Sequence, residues 1–239
     1  MATLKLGSPQ GVAVFEALYL DVRQKENRLL TIPQLRAFPD LTGFPHLEEW
    51  KVRLQSAKRL LRYLGKEEAT VLDVGCGNGW LSSLLARHGF HVTGVDINRY
   101  ELEQAAEAYD FLNLEFICDD IFYPQILEGR FTYIILSSSL QYFQDLPNLF
   151  SSLLGYLGEE GEIHVINTHL YSETEAIKAK QRTRKYYSDL GFPEMANHYF
   201  HHTWTQIARL GGKKMRGFWR RSYFPWVRFR FEDLRRALR

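Results

Sequence analysis

Apolar positions fall into two rhythms along this chain. Leu47, Trp50, Leu54, Ala57, Leu61 and Leu64 recur at steps of three and four, which is one stripe of an α-helix. Pro45 stands near its start, where proline is tolerated, and Gly65 stands where a glycine stops a helix. Beyond Gly65 short β-branched runs take over. Thr70–Val74, His91–Val95, Leu114–Cys118, Phe131–Leu136 and Glu162–Asn167 read as strands, and Trp80–His88, Tyr100–Asp110 and Leu146–Leu157 as the helices between them. This alternation predicts an α/β fold, a doubly wound and mostly parallel sheet with helices on both faces.

The ends follow other rules. Val12 to Leu30 has mixed helical periodicity, and Pro33, Pro39, Gly43 and Pro45 then break the chain into a wandering connection. Residues 1–45 therefore read as a helical and irregular cap, and residues 46–239 as one domain. After Thr168 comes a basic, polar helix, Tyr171–Leu190, then a short one, Thr203–Leu210, with Thr203 as its N-cap. Lys213–Trp219 and Pro225–Phe231 read as two final strands, and 171–212 as a helical roof over a pocket.

Composition narrows the class. Hydrophobic residues make up 45% and charged residues 24%, which excludes a disordered chain, collagen and a coiled coil. With two cysteines, Cys76 and Cys118, neither a disulfide framework nor a Cys-based zinc site is available, and a cytoplasmic setting fits. No run offers the ~20 apolar residues needed to cross a bilayer. The net charge of +2 hides an asymmetry: residues 1–170 hold 14 Lys and Arg against 22 Asp and Glu, residues 171–239 hold 16 against 6. A basic end suits an anionic partner such as nucleic acid, a membrane surface or a phosphorylated substrate; it equally suits a solvated face packed on an acidic body.

The sharpest motif is Asp73-Val74-Gly75-Cys76-Gly77-Asn78-Gly79, between the first of these strands and the helix after it. In a doubly wound sheet ligands bind at the carboxyl ends of the strands, where strand order reverses. Glycines let the backbone turn tightly there, and the following helix N-terminus offers amide donors. A dinucleotide turn reads G-x-G-x-x-G and cradles a pyrophosphate, which an adjacent Asp73 would repel; a cationic amino group it would attract.

This pattern resembles the first signature of class I S-adenosylmethionine-dependent methyltransferases. The resemblance covers roughly residues 50–167 and implies a Rossmann-like methyltransferase fold, a seven-stranded sheet whose last strand is antiparallel, with S-adenosylmethionine as cofactor and S-adenosylhomocysteine as product. It implies that the turn (Asp73, Gly75, Gly77, Gly79) holds the methionine part, that Asp96 binds the ribose hydroxyls, and that Ile97 lies against adenine. Asp119 would accept from the adenine amino group, the Asp120 amide would reach a ring nitrogen, and a carbonyl near Ser137 would hold the cofactor's amino group. Arg53, Trp50 and Tyr19 are candidates for recognising the methionine end.

Catalytic groups are harder to read. Many small-molecule relatives place a His shortly after the fourth strand, where this chain has Gln141-Tyr142. Tyr142, His201 and His202 remain as weak candidates, with His169 and His198 also in the C-terminal part, and no ligand spacing for a metal is seen. No Asn-Pro-Pro-Tyr or Asp-Pro-Pro-Tyr turn and no Pro-Cys dipeptide is present, which argues against base methylation at an amino nitrogen or cytosine C5. The roof is aromatic (Tyr186, Tyr187, Tyr199, Phe200, Trp204) and cationic (Lys178, Lys180, Arg182, Arg184, Lys185), suited to a planar or lipid-like acceptor and to phosphate or carboxylate. The leading expectation is methyl transfer to a small or medium-sized acceptor. RNA or another macromolecule, a cofactor-binding scaffold without catalysis, and aminopropyl or NAD chemistry on the same fold stand as alternatives.

Overall fold

A computed structural model describes residues 2–7, 13–65, 69–215 and 224–239. Eight strands form one sheet: β1 (Thr3–Leu6), β2 (Thr70–Val74), β3 (His91–Asp96), β4 (Leu114–Cys118), β5 (Phe131–Ser137), β6 (Leu157–Ile166), β7 (Lys213–Lys214) and β8 (Val227–Arg230). Their order is β1-β4-β3-β2-β5-β6-β8-β7. The first six are parallel, β8 is antiparallel to β6, and β7 is antiparallel to β8. From β2 the chain steps outward through β3 to β4, then crosses back to β5 on the other side. The carboxyl ends of β2 and β5 therefore flank the switch point where a crevice opens.

Nine helices surround the sheet among the described residues: α1 (Ala13–Lys25), α2 (Ile32–Ala37), α3 (Leu47–Leu64), α4 (Trp80–Arg87), α5 (Arg99–Ala108), α6 (Leu146–Tyr156), α7 (Glu173–Leu190), α8 (Trp204–Arg209) and α9 (Phe231–Ala237). Two cores lie on opposite faces. Val71 and Leu72, neighbours on β2, point into different ones, as the period of two requires. Trp50, Leu60, Leu85 and Phe116 build the first; Ile134, Phe150, Phe229 and Leu234 build the second. A third, small cluster of Val22, Tyr187 and Met195 ties α1 to α7.

The α3 stripe buries Trp50, Leu54, Ala57, Leu61 and Leu64 as its spacing predicts, and Gly65 ends the helix at a φ of 81°. Leu47, in the first turn, is 39% exposed instead. The sheet has eight strands rather than seven, because Thr3–Leu6 adds to β4 in parallel register and Lys5 meets Glu115 at 2.7 Å. The stretch after residue 30 holds α2: Thr31 and Gln34 form a reciprocal capping box, and Pro33 sits in the first turn, where its missing N–H costs nothing. At the other end the expected strand Pro225–Phe231 stops at Arg230, and Phe231 begins α9. Glu232 and Asp233 in the first turn and Arg235 and Arg236 in the last complement the helix dipole there. Of the expected strand Lys213–Trp219 only Lys213–Lys214 pairs, and 216–219 lie outside the described residues. No helix of the described residues is long and apolar enough to cross a membrane.

Candidate active site

The turn after β2 forms the floor of the site. Gly75 has a φ of 70°, and a Cβ there would come within 2.5 Å of the Ser139 Cβ. A Cβ on Gly77 would meet Glu101 Oε2 at 3.0 Å. Asp96, at the end of β3, pins this turn. Its Oδ2 accepts from the Gly77 amide and its Oδ1 from the Asn98 amide, both at 2.8 Å. Burial raises the Asp96 pKa above the ordinary carboxylate value while the same amides pull it down. Asn98 in turn caps α5 by accepting from the Glu101 amide at 3.1 Å.

Three cavities meet above this floor. The first, about 290 Å³, is lined by Gly75, Gly77, Asp96 and Ile97 on one side and by Asp120, Ile121 and Phe122 on another. The second, about 80 Å³, runs on from Gly77 and Glu101 to Trp50, Arg23, Arg28 and Arg53. The third, about 660 Å³, lies beneath α7 and is lined by Gln141, His169, Arg182, Tyr186, Tyr187 and Tyr199 among others. Ser138 lines all three, and Tyr142 lines the first and the third. Ser138 holds a φ of 57°, a left-handed conformation for a residue with a Cβ, so strain sits at the junction.

The three arginines are cross-braced. Arg53 pairs with Glu49 at 2.5 Å, Arg28 with Glu49 at 2.6 Å and Glu26 at 3.3 Å, and Arg23 with Glu26 at 3.2 Å. Three guanidinium groups thus share two carboxylates. Glu101, which faces them, has its pKa pushed up to about 7 by burial and by the Asp96 charge, with Arg23 and Arg53 opposing.

Of the residues singled out from the sequence, Gly75, Gly77, Asp96, Ile97, Asp119 and Asp120 line the first cavity, Ser137 the second, and Tyr142 the first and third. Trp50, Tyr19 and Arg53 meet at the second. Two glycine-turn residues do not line any of the three. Asp73 is 1% exposed and accepts a 2.6 Å hydrogen bond from the Ser82 hydroxyl, so it braces α4 against β2. Gly79 faces the core, where a Cβ would strike Phe116 at 2.5 Å.

The two residues expected at adenine are placed differently from each other. The Asp119 carboxylate is filled by its own loop: it accepts from the amides of Asp120, Gln125, Ile126 and Leu127 at 2.8–3.1 Å. The Asp120 amide is consumed in that set, whereas the Asp120 side chain accepts only from the Phe122 amide, at 2.9 Å, among the described residues. His201 and His202 lie outside the three cavities. His202 is buried against the Leu140 carbonyl at 3.2 Å, and His201 meets the Thr183 hydroxyl at 2.9 Å. Phe200 and Trp204 are likewise outside, and of the five roof cations only Arg182 lines the third cavity.

Residues 46–212 match the family model described as a methyltransferase domain. The chain belongs to that family. Malonyl-[acyl-carrier protein] O-methyltransferase of Acetivibrio thermocellus is 29% identical over 141 residues, covering 54% of this chain and 50% of that protein. Ubiquinone biosynthesis O-methyltransferase of Coxiella burnetii is 33% identical over 115 residues, 47% of each. The chain spans about half the length of these curated relatives. Among solved structures, the PH0226 protein of Pyrococcus horikoshii has a TM-score of 0.56 at 20% identity, covering 77% of this chain and 92% of that one. That likeness is one of fold. The class I methyltransferase family takes S-adenosylmethionine as its cofactor.

Within this methyltransferase-family domain several lining residues carried little or no signal in the sequence. Ser138 has no motif of its own beside Ser137 and Ser139. Arg23 and Arg28 come from the cap segment, more than a hundred residues before Tyr142. His169 stands three residues after β6, lines the third cavity and packs on Phe224 at 4.7 Å; burial lowers its pKa from the ordinary 6.5, which leaves it neutral at pH 7. Its place beyond a strand end was the available signal.

Proposed function

We propose that this chain transfers a methyl group from S-adenosylmethionine to a small or medium-sized acceptor held beneath α7. The observation that carries this reading is the junction at Ser138 and Tyr142, where the cavity above the glycine turn opens into the one beneath the roof.

The residues fit the cofactor. Asp96 keeps carboxylate lone pairs beside the amides it already accepts, suited to the two ribose hydroxyls. Ile97, Ile121 and Phe122 offer apolar walls for adenine, and the Asp120 carboxylate, in place of Asp119, accepts from its amino group. The Ile121 amide, in place of that of Asp120, serves the ring nitrogen. The arginine surplus around Glu26 and Glu49 suits the methionine carboxylate, with Arg53 and Arg23 nearest that role. When bound, S-adenosylmethionine supplies a methyl group on a sulfonium, open to in-line displacement.

The chain's own part is alignment and proton handling. Tyr142 and Ser138 separate the two ligands, and α1 and α7 exclude water from the junction. Neutral His169 accepts the proton from an acceptor hydroxyl. On this reading residues 1–45 are a cap over the cofactor and 171–212 a roof over the acceptor, on a domain spanning 46–239.

Calorimetric titration with S-adenosylmethionine, S-adenosylhomocysteine and NAD tests the proposal. Micromolar binding of the first two and none of NAD is expected. Absence of binding by both sulfur nucleosides would sink it.

A further inference from the structure

The charges around the third cavity do not balance, and the surplus has a location. Four arginines line it: Arg23, Arg28, Arg53 and Arg182. The first three are bound into the Glu26 and Glu49 network. A third lining acid, Glu48, is paired with Lys51 at 2.6 Å. Arg182 forms no ion pair among the described residues. An acid two turns back on the same helix, Glu175, feels the Arg182 charge but forms no ion pair with it among the described residues; its Oε2 is engaged in the capping box, accepting from the Ser172 amide and hydroxyl at 3.1 and 2.8 Å.

Helical spacing singles Arg182 out from its neighbours. Lys180 and Arg184, four residues apart, share the other side of α7 and line a separate groove, whereas Arg182 falls with Thr183, Tyr186 and Tyr187 on the cavity side. The walls next to it are aromatic. Tyr142, Tyr187 and Tyr199 stack edge to face or tilted, with centroids 5.9 and 6.3 Å apart in successive pairs, and Tyr186 stands beside Tyr187 at 5.3 Å. Such a wall receives a planar ring, and an unpaired guanidinium at its rim receives two oxygens of an anion in its fork. At about 660 Å³ the space exceeds what a single substituted ring fills.

We propose that the acceptor is a hydroxylated aromatic anion, its carboxylate or phosphate paired with Arg182 and its ring laid against Tyr142, Tyr187 and Tyr199. This rests on the methyltransferase reading above and makes Arg182 a specificity residue. The anion sits at the rim, so the hydroxyl at the far side of the ring points inward, towards Ser138 and His169.

The test uses protein saturated with S-adenosylhomocysteine, titrated calorimetrically with 4-hydroxybenzoate, phenyl phosphate and 4-methylphenol, in the wild type, Arg182→Gln and Lys180→Gln. At least one anionic probe should bind tenfold or more tighter than neutral 4-methylphenol. That advantage should vanish in Arg182→Gln and persist in Lys180→Gln, which leaves the other side of α7 neutralised. The carboxylate and phosphate arms identify which anion the fork prefers. Equal binding of all three probes, binding of none, or an advantage that survives Arg182→Gln overturns the proposal while leaving methyl transfer standing. Failure of S-adenosylhomocysteine to bind at the outset overturns the methyltransferase reading instead, and this one with it.

Discussion

Arg23 donates a 2.8 Å hydrogen bond from Nη2 to the Tyr142 hydroxyl, joining α1 to the turn after β5 across 119 residues of chain. Arg23 also lies over the Tyr19 ring, 4.8 Å from its centroid, and pairs with Glu26. The bond thus closes the wall that the first and third cavities share. Tyr142→Phe keeps the edge-to-face contacts with Phe15, Tyr19 and Tyr199 but removes the acceptor from a half-buried cation. Hydrogen bonds to charged groups contribute about 1.5–3 kcal/mol. Because Arg23 retains Glu26, a loss near the lower end is expected, roughly 3–6 °C in melting temperature for a chain of this size. Differential scanning calorimetry checks it, and an unchanged transition would mean the bond contributes nothing.

On the proposed reading the neighbours Asp119 and Asp120 have opposite tasks, and two conservative substitutions separate them. Asp119→Asn puts a buried amide group among backbone donors that it cannot accept, at a cost of about 1–3 kcal/mol. Its melting temperature should drop by several degrees. Asp120→Asn retains an oxygen for the Phe122 amide and loses the charge that faces the first cavity. Its melting temperature should hold within about a degree, while S-adenosylhomocysteine binding weakens about tenfold, the loss of one charge-assisted hydrogen bond. The opposite pattern, a stable Asp119→Asn that binds poorly, would return adenine recognition to Asp119.

His169 should titrate below the ordinary histidine range, because burial disfavours its charged form. Long-range proton–nitrogen correlation spectra recorded against pH, with His169→Gln for assignment, read this directly. The same variant should bind S-adenosylhomocysteine within about twofold of the wild type, since His169 lines the third cavity and not the first, where the cofactor is proposed to lie. A midpoint above about 7 would leave His169 mostly protonated at neutral pH and end its candidacy as a base.

These expectations separate what was legible in the sequence from what was not. The strand ends were legible because parallel strands buried on both faces, such as β2 and β5, leave continuous apolar runs whose last residues fall at the crevice. Asp96 was placed at the crevice that way. The engagement of the Asp119 carboxylate was not legible, because it depends on amides of residues 125–127 folding back onto it. The inward turn of Asp73 was hidden for a related reason: its partner, Ser82, lies one helix turn beyond the glycines, and only the packing of α4 on β2 turns the side chain inward. The arginine end was half visible. Arg53 stood on a recognisable helix, but Arg23 and Arg28 reach the site through the tertiary placement of α1, on which local pattern is silent. The four residues of β1 and the seven of α9 fell below the length at which periodicity separates strand from helix.

Buried acids should make this protein less stable as pH rises through neutrality. Asp73 has its pKa raised to about 7, first by burial and then by the Asp96 charge, with the Ser82 hydroxyl opposing. Glu101 is raised to about 7 as well. An acid whose folded pKa lies above its unfolded one binds its proton more tightly when folded. The native state is then favoured while the group stays protonated, and that advantage is lost as pH climbs from the unfolded value towards the folded one. His164, His169, His201 and His202 act in the opposite direction, since burial lowers each of them: about half of each is still charged in the unfolded state at pH 6.5, so the stability they withhold is recovered up to about pH 7.5, above which they are neutral in both states. The histidines cancel in a comparison of the wild type with Asp73→Asn, which isolates the acid. Asp73→Asn accepts from Ser82 through its amide oxygen without ever ionising, so its melting temperature should gain on that of the wild type between about pH 6 and 8 and lie above it at about pH 8. An Asp73→Asn curve parallel to the wild type over this window would show that Asp73 does not titrate there.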